Sequence, residues 1–113
     1  MVPSPKVSTY DLAPEMSAAI VTDRLLDSIR ANLFDFILVN YANPDMVGHT
    51  GSLDAATKAC ETIDICLGHV YQEVTSLGGT LLLTSDHGNC EIMYDTINKA
   101  PHTSHTLNPV PFT

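Results

Sequence analysis

One stretch of this sequence leaves little freedom in how it folds. Leu53, Ala56, Cys60, Ile63, Leu67, Val70, Val74 and Leu77 recur at spacings of 3, 4, 3, 4, 3, 4 and 3. That rhythm is one apolar face of a long helix. Ser52 can cap its start, and Gly78-Gly79 stops it. On either side lies a short, β-rich apolar run: Phe34 to Asn40 (F-D-F-I-L-V-N) and Thr80 to Thr84 (T-L-L-L-T). Such runs suit strands buried on both faces, as in a parallel sheet. A further helical pattern starts at Ser17, a plausible N-cap, runs through Ile20, Arg24, Leu25, Ile29 and Arg30, and should end near Asn32. Residues 1–16 read as a loop broken by Pro3, Pro5 and Pro14. A second loop runs from Ser85 to about Asn108, and Pro109 to Thr113 looks like the start of another strand. The order is helix, strand, helix, strand, loop, strand. It predicts an α/β layer, a mostly parallel sheet flanked by helices. The last apolar run stops after a few residues, so the expectation is an incomplete portion of a larger domain.

Composition excludes several classes. At 44% apolar and 16% charged residues the chain is not of the disordered type. No apolar run approaches the ~20 residues needed to span a bilayer, and no basic stretch followed by an apolar core opens the sequence. A soluble, cytoplasmic protein without a membrane partner is expected. The net charge is −8, and the bases are only Lys6, Arg24, Arg30, Lys58 and Lys99. Nucleic acid would want a basic stripe, and none exists. An anionic substrate would be repelled too, unless metal ions or arginines from elsewhere supply positive charge. Cys60, Cys66 and Cys90 form no C-x-x-C pair and read as reduced thiols, the first two on different faces of one helix.

Both expected strands end in an acid and a histidine, and ligands in open α/β sheets bind beyond the carboxyl ends of the strands. The first group is Asn43-Pro44-Asp45-Met46-Val47-Gly48-His49-Thr50. Asp45 and His49 stand four apart, so on a helical turn they project together and can share one metal. The second is Asp86-His87, and a third source is His105 in Pro101-His102-Thr103-Ser104-His105-Thr106. Carboxylate oxygen with imidazole nitrogen suits Mn²⁺, Zn²⁺ or Fe²⁺ better than Ca²⁺. Five such ligands from three strand ends suggest a pair of metals, the arrangement that clamps phosphoryl oxygens during in-line displacement. His69 reads as solvated helix surface, and His102 as a loop histidine or a donor behind a ligand.

The residues in these groups carry a resemblance. Ser4-Pro5-Lys6-Val7, Tyr10-Asp11-Leu12, Pro14-Glu15-Met16-Ser17-Ala18, the whole run from Asn40 to Thr50, Asp86-His87-Gly88-Asn89, and His102 to Thr106 with Asn108-Pro109-Val110-Pro111 are similar to the cofactor-independent (2,3-bisphosphoglycerate-independent) phosphoglycerate mutase family. The Asp-His-Gly pair by itself would mark only the wider alkaline-phosphatase-like superfamily. The resemblance implies that Asp45, His49 and His105 bind one metal and that Asp86 and His87 bind another. His105 is chosen over His102 because the family's ligand directly precedes the Thr that leads into Asn-Pro-Val-Pro. It implies two Mn²⁺ ions in the complete enzyme, with Mg²⁺, Co²⁺ or Zn²⁺ possible. A serine there takes the phosphoryl group from phosphoglycerate and returns it to the neighbouring hydroxyl, and the enzyme is monomeric.

Other features depart from the family. Its serine nucleophile and one carboxylate of the second metal lie near the N-terminus of the full protein, and nothing in these 113 residues corresponds to them. The inserted transferase domain with its substrate-binding arginines has no counterpart either. Residues 1–113 are therefore expected to be the C-terminal portion of the metal-binding, phosphatase-like domain, inactive alone. Lys6 sits in a family-like motif without an assigned role, and Ser85 is expected to be structural. Alternatives are a related metal-dependent phosphoryl-transfer enzyme such as a phosphopentomutase, which the Asn-Pro-Asp-Met-Val-Gly-His run disfavours, or a non-catalytic metal-binding or interaction module.

Overall fold

The computed structural model describes residues 17–113. The expected loop over residues 1–16, with Lys6, lies outside the described residues. Three helices form the frame: α1 (Ala18–Ala31), α2 (Asn43–Gly48) and α3 (Leu53–Ser76). A two-stranded antiparallel hairpin follows, β1 (Tyr94–Asp95) and β2 (Ala100–Pro101), in register Tyr94↔Pro101 and Asp95↔Ala100.

Helix α3 starts where its cap places it: the Ser52 hydroxyl accepts the Ala55 N–H at 3.3 Å. It stops at Gly78, whose φ of 75° is the left-handed conformation glycine tolerates, with Gly79 N–H returning to the Val74 carbonyl. The apolar stripe is used in its middle, where Ala56 and Val70 are buried, while Leu53 and Leu77 at its ends are exposed. The core itself shifts to the small residues Ala55, Ala56 and Ala59, which pack with Val47 and Met93. Alanines let α2 lie close against α3, and this contact holds α2 in place.

Helix α1 ends at Asn32 as expected, in a left-handed cap with φ 53°. Ser17 takes the N-cap position without a side-chain cap bond. The buried face is Ala18, Thr22 and Leu25, spaced four and three apart; of the expected positions Leu25 is buried and Ile20 is exposed. Thr22 donates to the Ala18 carbonyl and accepts from the Tyr41 hydroxyl at 2.6 Å. Burial raises the Tyr41 phenol above its ordinary range. This bond ties the chain just before α2 to α1. At the far end of the frame Arg30 pairs with Glu73 of α3 at 3.0 Å on the surface, where solvent screens the pair and it adds little stability.

Among the described residues there is no parallel ladder. The expected strand from Phe34 to Asn40 makes no ladder, though it keeps a strand's alternation: Phe36 and Leu38 are 79% and 86% exposed, Ile37 and Val39 each 38%. A strand buried on both faces needs hydrogen-bonded neighbours and cover on each side, and these residues supply neither. The Thr80–Thr84 run joins the end of the chain instead, through an antiparallel bridge between Thr84 and Phe112, with Leu83 and Thr113 exchanging both backbone bonds at 2.8 and 2.9 Å. The hairpin falls inside the expected 85–108 loop. Two-residue strands carry no alternation to read, and its tip is organised locally by Asp95, whose carboxylate accepts from the Ile97 and Asn98 backbone. A cleft of about 720 Å³ lies between the helices and the extended segments, with Tyr41, Asp45, Asp86 and His87 on its polar side. Cys60 and Cys66 do lie on α3, exposed and buried respectively, and all three thiols are free.

Candidate metal centre

Pro44 opens α2 at a position that needs no backbone donor, so the turn begins there. Asp45 and His49 then fall on one face, with His49 Nε2 3.2 Å from Asp45 Oδ1. His105 arrives from the other end of the chain. Its Nε2 lies 2.9 Å from the same Asp45 oxygen and 3.0 Å from His49 Nε2. Asp45, His49 and His105 are the group among the described residues whose donor atoms lie within 4.8 Å of one another.

The neighbours fix what each atom offers. The Thr103 carbonyl lies 2.7 Å from His49 Nδ1. A carbonyl only accepts, so that nitrogen carries the proton and Nε2 keeps its lone pair for the cluster. His87 is set the same way, its Nδ1–H donating to the Gly88 carbonyl at 3.2 Å. Asp45 is oriented by Asn89, whose amide nitrogen donates to Oδ1 at 2.9 Å and to the Asp45 carbonyl at 3.2 Å. Burial pushes the Asp45 carboxyl up, but the Asn89 amide, and the attraction of His49, His105 and His87 whenever those rings are protonated, outweigh it and hold it below its usual range. The site thus presents an ionised carboxylate and imidazole lone pairs at one point. Metal bonds to these donors run about 2.0–2.2 Å, and three donor atoms separated by about 3 Å fit around one such cation.

The second expected pair is placed differently. The His87 ring stacks on His105 with centroids 3.7 Å apart, and its Nε2 is 3.8 Å from Asp45 Oδ1 and 3.6 Å from Asp86 Oδ1. Asp86 is largely exposed. Among the described residues these two gather no third ligand. His102 stays outside the cluster: its backbone N–H donates to Met93, its Nε2 lies 3.4 Å from the Ser104 hydroxyl, and its Nδ1 is buried without a partner. Ser85 donates its hydroxyl to the His87 carbonyl at 2.7 Å, a structural use.

Four contributors had no role in the sequence reading. Thr103 acts through a backbone carbonyl, which no side-chain pattern reveals. Asn89 and Gly48 stand inside the motifs, but only the fold shows that they meet: a Cβ on Gly48 would lie 2.5 Å from Asn89 Oδ1. Glu91 accepts from the Asn89 N–H at 2.8 Å, from the Thr106 hydroxyl and from the Asn108 amide at 3.3 Å. The Thr106 hydroxyl is the main reason its carboxyl sits below the usual range.

A family model described as the metalloenzyme superfamily matches residues 1–113, and the chain belongs to that superfamily. Within it, the sequence is similar to the 2,3-bisphosphoglycerate-independent phosphoglycerate mutases. It is 60% identical over 111 residues to the one from Gluconobacter oxydans, 59% over 111 residues to that from Rhodopseudomonas palustris, and 54% over 112 residues to that from Clostridioides difficile. Each match covers 98–99% of this chain and 22% of the relative, so the chain spans about a fifth of their length. Its fold matches Leishmania mexicana phosphoglycerate mutase, solved at low cobalt concentration, with a TM-score of 0.89 and 34% identity over 98% of this chain and 22% of that one. The alkaline-phosphatase-like α/β architecture expected from sequence is therefore the fold of this chain, whose own residues contribute the helices and a small sheet. Family membership and the Asp45–His49–His105 donor set both support a divalent metal.

Proposed function

We propose that residues 1–113 are the C-terminal portion of the metal-binding, phosphatase-like domain of a 2,3-bisphosphoglycerate-independent phosphoglycerate mutase, a cytoplasmic, monomeric isomerase of glycolysis and gluconeogenesis. The observation that carries this reading is the convergence of Asp45, His49 and His105 on one point, with the His49 tautomer already set for ligation. Asp45, His49 and His105 would hold one Mn²⁺, and Asp86 and His87 would contribute to a second, with Mg²⁺, Co²⁺ or Zn²⁺ able to substitute. The metals supply charge that stabilises phosphoryl oxygens during transfer between the 2- and 3-hydroxyls of phosphoglycerate. This chain's residues hold the ions and orient their donors. The phosphorylated serine and the sugar-acid pocket belong to sequence outside these 113 residues. The net charge of −8 fits that division, since phosphate-binding cations are scarce here.

The experiment is a graft. Residues 1–113 replace the matching fifth of the Gluconobacter oxydans relative, and the chimera is assayed for interconversion of 3- and 2-phosphoglycerate in Mn²⁺. Turnover near that of the parent is expected, and none from the 113-residue chain alone. A folded, Mn²⁺-binding chimera without mutase activity would overturn the assignment.

The two histidines of the 101–106 segment should separate cleanly in the same chimera. His105→Ala is expected to weaken Mn²⁺ binding by roughly a hundredfold or more, and His102→Ala, whose ring touches none of the three donors, by far less. Calorimetric titration reads both, and the reverse order would exchange their roles.

A further inference from the structure

We infer that Glu91 is a positioning residue for His105: its carboxylate clamps the segment carrying that histidine onto the turn that carries Asp86 and His87. The inference rests on the metal site proposed above, which Glu91 does not touch.

His105 has the longest journey to the site, since the chain from α2 reaches it only after α3, the 80–91 segment and the hairpin. Two things hold that loop beside the Asp86–His87 turn. One is backbone: Gly88 and Thr106 form an antiparallel bridge, with the Thr106 N–H donating to the Gly88 carbonyl at 2.8 Å. The other is Glu91. One of its oxygens takes the Thr106 hydroxyl and the Asn108 amide, residues one and three beyond His105; the other takes the Asn89 N–H. The carboxylate thus bridges two segments that the backbone joins by a single bridge. Gly88 makes room for it. A Cβ there would run into both the Thr106 hydroxyl and the Glu91 carboxylate.

The same turn serves the opposite ligand through its neighbour, as Asn89 holds Asp45. Residues 88–91 therefore position two of the three donors from one place, Asn89 acting on α2 and Glu91 on the His105 loop. Glu91 is exposed, so its conspicuous contribution is these hydrogen bonds. Surface carboxylates accepting one donor are ordinary; one accepting three, from two segments fifteen or more residues apart in part, is a built contact.

The test uses the 113-residue chain with Glu91→Leu, which is close in volume and accepts nothing, and Glu91→Gln, which keeps one acceptor oxygen for Thr106. Three readouts are taken: amide exchange at Thr106 without metal, the His105 imidazole resonance, and Mn²⁺ affinity. For Glu91→Leu we expect the Thr106 amide to exchange at least about tenfold faster, the His105 resonance to shift, and Mn²⁺ binding to weaken about tenfold or more. Amides inside α3 should be unchanged, and Glu91→Gln should recover most of the protection. In a chain already carrying His105→Ala, Glu91→Leu should change Mn²⁺ affinity no further, since the two act on one ligand. Unchanged Thr106 exchange and His105 resonance in Glu91→Leu would overturn the clamp, as would an unprotected Thr106 in the wild type. Loss of Thr106 protection with no Mn²⁺ binding by the wild type would support the clamp and remove the metal reading.

Discussion

Asp45→Ala should remove tight metal binding from this protein while leaving its helices in place. Asp45 Oδ1 is the atom on which the site converges: His49 Nε2, His105 Nε2 and the Asn89 amide all approach it within 3.2 Å. Without it the imidazoles have no anion to share a cation with, and Asn89 keeps only the Asp45 carbonyl. His49→Ala removes the nitrogen that Thr103 orients and should act similarly. Neither residue belongs to the packed cluster of Val47, Ala55, Ala56, Ala59 and Met93, so the fold should survive. The measurement is thermal. A metal that binds only the folded chain adds about 2.7 kcal/mol at a hundredfold excess over Kd. For a domain of this size that raises Tm by roughly 10 °C or more. Mn²⁺ should produce such a rise in the wild type and almost none in either variant. The rise should also fade on acidification, because protons compete for the imidazoles and the carboxylate. A variant that kept the full Mn²⁺-dependent rise would show that its side chain is not a ligand.

The second large effect turns on two helical glycines whose surroundings only the fold reveals. Gly48 and Gly68 both lie in helices. Helix propensity alone favours alanine at each by about 1 kcal/mol. Around Gly68 nothing stands within 4 Å of an added Cβ, so Gly68→Ala should stabilise the chain by about 0.5–1 kcal/mol. At Gly48 the same methyl would sit 2.5 Å from Asn89 Oδ1, 2.8 Å from Asn89 Cγ and 3.1 Å from Cys90 Sγ. Asn89 is buried and its Oδ1 has no partner of its own, so it can move only by giving up Asp45. Gly48→Ala should cost about 1–3 kcal/mol in overpacking and weaken Mn²⁺ binding as well. Urea denaturation of the two variants should give changes of opposite sign. Equal behaviour would mean that the 88–91 turn yields without strain.

What could be read beforehand followed from periodicity and from spacing. The eight-residue apolar stripe located α3 to within a residue, and the interval of four between Asp45 and His49 foresaw that they would face each other. His105 over His102 came from the family's pattern, and the structure puts His105 in the cluster and His102 outside it. The misses have physical causes. The runs at Phe34–Asn40 and Thr80–Thr84 read as strands buried on both faces, yet Phe36, Leu38, Leu82 and Leu83 are exposed; burial of that kind needs paired neighbours, and a ladder is a property of pairs of segments. The stripe on α3 overstated the role of its ends, because alanines rather than leucines set the approach of α2. Tyr94–Asp95 and Ala100–Pro101 are too short to show a period. Thr103 and Glu91 contribute through a carbonyl and through contacts fifteen or more residues away, neither of which a local pattern encodes.

His49 and His105 stand 56 residues apart in the chain, yet their ring nitrogens meet at 3.0 Å. Closing a loop of that length costs about 4 kcal/mol in chain entropy. Much of that closure is made by the protein's own contacts: α2 against α3, the Gly88–Thr106 bridge and the hairpin between them. Those contacts share with a cation the work of removing conformational freedom from the chain. Affinity at such a site reports the chemistry of the donors more than the ordering of the chain, and exchanging one divalent ion for another should leave the backbone where it was.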